Sequence, residues 1–380
     1  MQDFDLLIVG AGPVGCVIAE RAAYLMGWRS LIVDKRKHIA GNCHDRYHDN
    51  GVLIHSYGPH YFRTNNPRLL GYLSRFTSWI PSNYLVKSQV NGKLYPFPIN
   101  LTTLEMFFDR KLDEVSAKAL LEELAVPNQN PANSEEYVLS RVGEKLYRAF
   151  YLGYTQKQWG MHPSKLAASV CGRIPVRLNR DERYVDHGNQ VMPAHGYTRL
   201  FETMIDHELI HVMLQTDFAD IRGIFRPRIG TVYCGPLDQY FSCQYGKLGW
   251  RSLEFEFRDF QKEFVQPCVQ INYPNDFDYT RSVEIKHVTA QRHPETVLSY
   301  EYPRAQGDPY YPIPSAESAQ LHNRYNLLAE REQAENDVFF AGRLAKYRYL
   351  NMDEAMESAL ANFEQICARH GINVEALQGH

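Results

Sequence analysis

The first ordered pattern of apolar and polar positions lies at the start of the chain. Leu6-Leu-Ile-Val9 is an unbroken apolar run of strand length, and Val14, Val17, Ile18, Ala22 and Leu25 follow at helical spacing. A second short run, Ser30-Leu-Ile-Val33, completes a strand–helix–strand unit. From 84 to 99 the pattern changes to alternation around Asn91-Gly92, which predicts a hairpin. Pro96 and Pro98 place its second arm on a sheet edge. Between 101 and 165 the period is helical. Segments 101–108, 113–124 and 133–150 read as amphipathic helices, the last opened by Asn133-x-x-Glu136 and striped by Val138, Val142, Leu146 and Phe150. This predicts a helical insert with its own small core. A mobile loop with solvated charges is expected over 170–190, where Arg173, Arg177, Arg180 and Arg183 stand among Gly, Pro and Asn. A helix over 199–207, a strand over 210–214, alternating strands between 240 and 300, a buried strand over 337–343 and a helix over 353–368 complete the chain.

The turn between the first strand and helix carries the clearest chemistry. Gly10-x-Gly12-x-x-Gly15 allows a tight turn, close approach of a pyrophosphate to the backbone and packing of helix on strand, and Pro13 suits a first helical turn. Asp34 ends the second strand 19 residues beyond Gly15, where an acid meets a ribose hydroxyl. The expected fold class is α/β: a Rossmann-like dinucleotide-binding domain (1–80, 195–240 and 315–380), a helical insert domain (100–170) and an antiparallel β-sheet domain (81–99, 171–194 and 241–314).

Composition narrows the function by exclusion. At 380 residues, with 44% hydrophobic and 22% charged residues, the chain is of ordinary globular make-up. A net charge of −3 argues against a nucleic-acid surface. The seven cysteines lack CxxC spacing, which points to reduced thiols in a cytoplasmic protein and to no metal site. No stretch approaches the length of a membrane span, and the short glycine-interrupted apolar start does not read as a secretory signal.

Lys35-Arg-Lys-His-Ile-Ala-Gly-Asn42 resembles the continuation found in flavoproteins that bind extended FAD, although Ala40 stands where a glycine is usual. Such proteins also close with a strand and a helix whose N-terminus points at the flavin. Gly153-Tyr-Thr-x-Lys-Gln-Trp-Gly-Met161, Gly58-Pro-His60, Arg173-x-Pro-Val-Arg177, Pro309-Tyr-Tyr-Pro312, Gly342-Arg-Leu344 and Tyr347-Arg-Tyr-Leu-x-Met-Asp353 together resemble the UDP-galactopyranose mutases, in order along essentially the whole chain.

The resemblance implies an isomerase that interconverts UDP-galactopyranose and UDP-galactofuranose through covalent attachment of the sugar to N5 of reduced FAD, with no net redox change, as a homodimer. It places FAD against Gly10, Gly12, Pro13, Val14, Gly15, Asp34, Lys35, Asn42, His60, Gly342, Arg343, Tyr349, Asn351 and Met352. It gives Arg173 and Arg343 to the diphosphate, with Arg281 assisting when the loop closes. Tyr184, Tyr311 and Tyr349 would bond the phosphates, and Tyr154 with Tyr151 would stack on uracil. Asn272 and Asn83 would contact the nucleotide, Trp159 would line the sugar pocket, and His60 would lie beside the flavin as a catalytic or purely structural histidine. Two positions depart from the family: Asn351 where Asp is usual, and Arg63 where His is usual. Arg63 could read a 2-acetamido sugar, or could pair with a nearby carboxylate and leave galactose specificity intact. A redox flavoenzyme of the amine oxidase type and the same mutase chemistry on another nucleotide-sugar are the alternatives.

Overall fold

The computed structural model describes residues 4–374, so the outermost residues assigned to the first domain, 1–3 and 375–380, lie outside the described part. Five parallel strands form the first sheet, in the spatial order Ile210–Met213, Ser30–Val33, Leu6–Val9, Gly230–Tyr233 and Val338–Phe340. Leu6–Val9, Ser30–Val33 and Val338–Phe340 are buried along their whole length because both faces are covered, whereas the edge strand Ile210–Met213 is largely exposed. Leu6, Ile8, Ile32 and Val232 enter a core shared with the helices Pro13–Met26, Gly196–Ile205 and Met352–Arg369. Leu7, Val9, Leu31, Val33, Tyr233 and Phe340 enter another, packed against Tyr325 and Ala329 of the helix Ala316–Asn336. That 21-residue helix was not anticipated, because Leu321, Tyr325, Leu328 and Ala329 form a thin stripe in a strongly polar segment.

The second sheet has seven strands, ordered Tyr311–Pro312, Trp250–Phe260, Thr296–Arg304, Arg281–Val283, Gln270–Asn272, Val86–Val90 and Lys93–Phe97. The proline-bearing arm of the hairpin is its edge, as expected. One pairing, Gln270–Asn272 with Val86–Val90, is parallel, so the sheet is mixed rather than wholly antiparallel. Strand Asn189–Pro193 does not join it. It pairs with Phe62–Thr64 and Trp79–Pro81, which moves the end of the 171–194 segment to the first domain's side.

The insert forms its expected helices, Leu101–Phe108, Glu114–Leu124 and Ser134–Leu146. The third is not continuous to residue 150. Gly143 takes φ 73°, where a Cβ would sit 2.1 Å from the Leu124 carbonyl oxygen, so the break lets the preceding helix approach the backbone. A π-helical turn, Tyr147–Leu152, and a short helix, Gly153–Trp159, follow. The insert has no separate core. Val138, Val142, Leu146 and Phe150 belong to the same cluster as Leu6 and Ile8, reached through contacts such as Phe150 with Tyr95 of the hairpin, 5.6 Å apart.

The predicted loop after 172 is irregular but tied down. Arg177 is buried rather than solvated, donating to Asp186 and to the Arg183 carbonyl, both at 2.6 Å. Arg180 pairs with Glu105, and Tyr184 N donates to the Tyr84 carbonyl.

Two glycines separate steric from conformational cost. A Cβ on Gly15 would lie 2.1 Å from the Gly10 oxygen, whereas one on Gly27 meets nothing within 4 Å but must accept φ +64°. Gly27→Ala should therefore cost about 1 kcal/mol for the left-handed conformation alone. Gly15→Ala should cost clearly more, because strand and helix must part. Denaturant unfolding of both variants checks the ranking.

Candidate functional site

The glycine turn opens onto a cleft of about 1330 Å³, counting space continuous with solvent. Gly10, Gly12, Pro13, Val14, Gly15, Asp34, Lys35, Asn42, His60, Gly342, Arg343, Asn351 and Met352 all line it. The Asp34 carboxylate lies across the turn, accepting from Ala11 N and Arg36 N, both at 2.8 Å. Gly12 faces Gly41, whose Cα would be 3.7 Å from an added Cβ, so backbone and not side chains forms this wall. Asn351, Met352 and Ala355 bring the N-terminus of the 18-residue helix Met352–Arg369 to the opposite wall. An elongated dinucleotide fits this donor set: amides at two helix N-termini for phosphate or an electron-rich ring, and a carboxylate for a ribose. Ala40 takes φ 69°, which explains why a glycine is usual there.

Part of the cleft escaped sequence reasoning. Thr216, Asp217 and Phe218, the stretch from Tyr233 to Pro236, Gln239, and Arg36 with Asp308 all line it. The first two groups follow parallel strands of the sheet, where ligands of α/β folds gather, so the strand ends at 213 and 233 were the available signal. Arg36 donates to Asn42 at 2.8 Å, meets Asp308 at 3.3 Å and lies over the Tyr57 ring.

Beyond Arg343 the character of the site changes from glycine to arginine and tyrosine. The Arg173 guanidinium lies 4.6 Å from the centre of the Tyr349 ring and that of Arg343 5.1 Å from it, and Tyr349 stacks on Tyr311 at 5.8 Å. Arg343 is held by the carbonyls of Leu350 (2.5 Å) and Tyr310 (3.4 Å). Burial alone would raise the Tyr349 phenol, but Arg173, Arg343 and Arg63 together bring it down to about 8. Its ring nevertheless remains 36% exposed. Tyr349 thus belongs with the arginines and is not among the residues that line the dinucleotide cleft.

The two departures from the family pattern touch each other. Arg63 donates to Asn351 Oδ1 at 2.8 Å and to the Tyr61 hydroxyl at 2.5 Å, so its partners are an amide and a phenol rather than the carboxylate weighed above. His60 lines the cleft with Nδ1 2.9 Å from the Gly58 carbonyl, which fixes the proton on Nδ1 and leaves Nε2 as an acceptor. Burial, with His55, Arg343 and Arg281 adding to it, pushes its pKa down to about 3, so the ring is neutral.

The remaining predicted residues lie around the seven-stranded sheet. Asn272, Arg281 and Glu301 are direct cross-strand partners and so share one face. Arg281 is not waiting for a loop to close: it already pairs with fully buried Glu301 at 2.7 Å. Asn272 accepts from Gln270, which accepts from the Tyr84 hydroxyl. Tyr184 meets Tyr84 edge-on at 6.3 Å, and Trp159 lies 6.2 Å from Tyr311. Tyr151 is only 5% exposed and packs on Phe97, so in this state it offers no open ring face to a base, whereas Tyr154 is half-buried. Asn83 is exposed next to buried Tyr84, with no contact that ties it to the site. Among the described residues no His, Cys, Asp or Glu group could hold a metal, and no helix is long and apolar enough to cross a membrane. All seven cysteines are free.

A family model for UDP-galactopyranose mutase matches residues 149–349, and one for an NAD(P)-binding Rossmann-like domain matches 8–76. A Klebsiella pneumoniae protein named "Probable UDP-galactopyranose mutase" is 40% identical over 377 residues, 96% of this chain and 95% of its own. The chain belongs to the UDP-galactopyranose mutase family. An Escherichia coli family relative, named dTDP-fucopyranose mutase, is 34% identical and covers 93% of this chain and 96% of its own. A crystal structure of reduced UDP-galactopyranose mutase superposes with a TM-score of 0.76 at 16% identity, covering 97% of this chain and 96% of that one, and shares its fold. Within the family fold, the arginine cluster adjoins the cleft of the Rossmann-like domain.

The cluster has a spectroscopic signature. Tyr349 should ionise with a midpoint near pH 8, seen as a tyrosinate absorbance step that Tyr349→Phe abolishes. An anion such as inorganic pyrophosphate offsets the guanidinium charges and should move that midpoint upward. By linkage, pyrophosphate should bind more weakly as pH rises through about 8.

Proposed function

We propose that this enzyme interconverts UDP-galactopyranose and UDP-galactofuranose on FAD that is active when reduced, as a cytoplasmic homodimer. The observation that carries the reading is the convergence of Arg173, Arg343 and Arg63 on Tyr349 at the end of a dinucleotide cleft. When bound, the reduced flavin would supply the nucleophile toward the anomeric carbon. The chain's own part is electrostatic. A sugar–phosphate bond that breaks leaves charge on the diphosphate, and fixed guanidinium groups stabilise that charge without reorganising. Arg173 and Arg343 would do this, with Tyr349 and Tyr311 as hydroxyl donors; Tyr349 lies against both guanidiniums and Tyr311 against that of Arg343. Gly10, Gly12, Gly15 and Asp34 hold the cofactor's pyrophosphate and ribose, and neutral His60 offers Nε2 as an acceptor within the cleft. On the nucleotide side, Tyr154 supplies the stacking face and Asn272 an amide.

A second reading concerns the sugar and the nucleotide. The family contains a dTDP-fucopyranose mutase, and the Arg63–Asn351 contact replaces a His and an Asp with a cation and a neutral amide. Of the five N–H donors of Arg63, two reach Tyr61 and Asn351, so others are available to a carbonyl such as that of a 2-acetamido group.

With flavin reduced, incubation with UDP-galactofuranose and chromatography of the product should give UDP-galactopyranose; equal turnover with oxidised flavin, or with NAD in place of FAD, would overturn the reading. Arg173→Ala and Arg343→Ala should each lower kcat by about 10²–10³ while the protein keeps its flavin. Turnover of UDP-N-acetylgalactosamine is expected beside that of UDP-galactose and should be lost selectively in Arg63→His. If Arg63→His lowers both activities by one factor, Arg63 does not read the sugar.

A further inference from the structure

The helix Gly153–Trp159, which carries Tyr154 and Trp159, contains one charged side chain, Lys157, and the chemistry above leaves it unused. Its ammonium lies within hydrogen-bond distance of four main-chain carbonyls, those of Tyr273, Asp276 (2.9 Å), Phe277 (3.1 Å) and Tyr279 (3.2 Å), which share its three N–H donors. All four belong to the connection between the strands Gln270–Asn272 and Arg281–Val283. An ammonium has three N–H donors and no acceptor, so a ring of carbonyl oxygens is its natural complement. The connection curls around the charge much as a peptide ring surrounds a desolvated monovalent cation, and Phe277 takes φ 57° to complete the curl. Other contacts fix the same junction. Asn275 donates to the Ala149 carbonyl at 3.0 Å, and Gly153 approaches so closely that a Cβ would lie 2.3 Å from the Pro274 oxygen. Arg251 closes the helix from its other end, donating to the carbonyls of Gln158 (2.9 Å) and Lys157 (3.2 Å).

The mouth of the caged connection is formed by Asn272 and Arg281, which face each other across the two strands. We propose that Lys157 is a positioning residue for the nucleotide: as an internal cation it shapes the 273–279 connection and so fixes Asn272 and Arg281 relative to Tyr154. The inference rests on the nucleotide-sugar reading above. Burial lowers the Lys157 pKa to about 8 against the pull of Asp276 and Asp278, so the ammonium is charged at pH 7. A neutral side chain of the same length would leave four inward-facing carbonyls to repel one another, and the connection would open.

Lys286 provides an internal control. It is buried and donates to the carbonyls of Glu263 (2.7 Å), His293 and Glu295 (2.9 Å), but none of these belongs to the connection that bears Asn272 and Arg281.

The test uses flavin-loaded enzyme at pH 7 and measures UDP binding by calorimetry beside steady-state kinetics. Lys157→Met should retain flavin, weaken UDP by about tenfold or more and raise KM in parallel, with kcat at saturation within about threefold of wild type. Lys157→Ala should regain UDP affinity in methylammonium or K⁺, which can enter the carbonyl ring, and not in choline, which is too large. Lys286→Met should lower Tm without moving UDP affinity. Should Lys157→Met fail to fold, Lys157→Arg and cation rescue of Lys157→Ala decide the matter. Lys157→Arg, which keeps the charge, should keep more UDP affinity than Lys157→Met. Unchanged UDP affinity in folded Lys157→Met or Lys157→Ala, or a Lys157→Ala that no small cation rescues, overturns the role of Lys157 alone. A wild-type enzyme that does not bind UDP overturns the function reading and this inference with it.

Discussion

Three guanidinium groups gathered around one phenol are the arrangement on which the rest of this molecule depends. Two unit charges about 6 Å apart repel by about 3 kcal/mol at an effective dielectric of about 20, so such a group must be held together by its scaffold. Arg281 has Glu301 to balance it. Arg173, Arg343 and Arg63 instead find aromatic rings, carbonyls and an amide. Arg63 also feels the Asp353 carboxylate, which offsets part of its charge, whereas Arg173 and Arg343 form no ion pair among the described residues. Tyr349 registers the imbalance directly, because its phenol yields a proton more easily than burial would allow. A bound anion would turn the repulsion into attraction, and more so the greater its charge.

The three cations come from distant parts of the chain, and this accounts for the architecture around them. Arg343 follows Gly342 just after the last parallel strand, three residues past its buried end at Phe340. Arg63 sits in the middle of a three-residue strand paired with 189–193. Arg173 caps a four-residue helix at the foot of the insert. A helical insert with a core of its own could move independently and carry Arg173 with it. The continuity of the insert's stripe with the main cluster through Phe150 and Tyr95 resists such motion. The many backbone and ion-pair ties of residues 177–184 act in the same direction.

The sequence disclosed the glycine-lined half of the cleft because its pattern is local. The glycines at 10, 12 and 15 and the acid at 34 are spaced by a single strand–turn–helix–strand unit, so their positions in the cleft follow from secondary structure. The walls at 216–218 and 233–239 follow strands that join the same sheet much later in the chain, so only the ends of those strands, and no motif, announce them. The sequence also misled where burial was decided by tertiary partners. Arg177 stood in a charged, turn-rich segment and looked solvated, yet Asp186 and the Arg183 carbonyl satisfy it internally. Tyr151 matched a stacking position by motif, but the π-helical turn carries its ring into the core. The role of Lys157 was invisible for the same reason, since its four partners are backbone atoms more than a hundred residues away.

The contact between Arg63 and Asn351 changes what the two departures mean. Read separately, each removes or adds a charge near the phosphates and puts the site in doubt. Read as one contact, they keep a hydrogen bond from a donor at 63 to an acceptor at 351, at the helix start where Glu354 also accepts from Asn351 N. Relative to a His–Asp pair, the field there is more positive by at least one unit. Arg63 can take this place because Tyr61, stacked on Tyr84, supplies a second acceptor and a ring for its guanidinium. An isolated Asn at 351 would only weaken the site. Coupled to Arg63, it leaves a cation with spare N–H donors beside Tyr349, so the pair changes the field of the arginine cluster without leaving either side chain unpartnered.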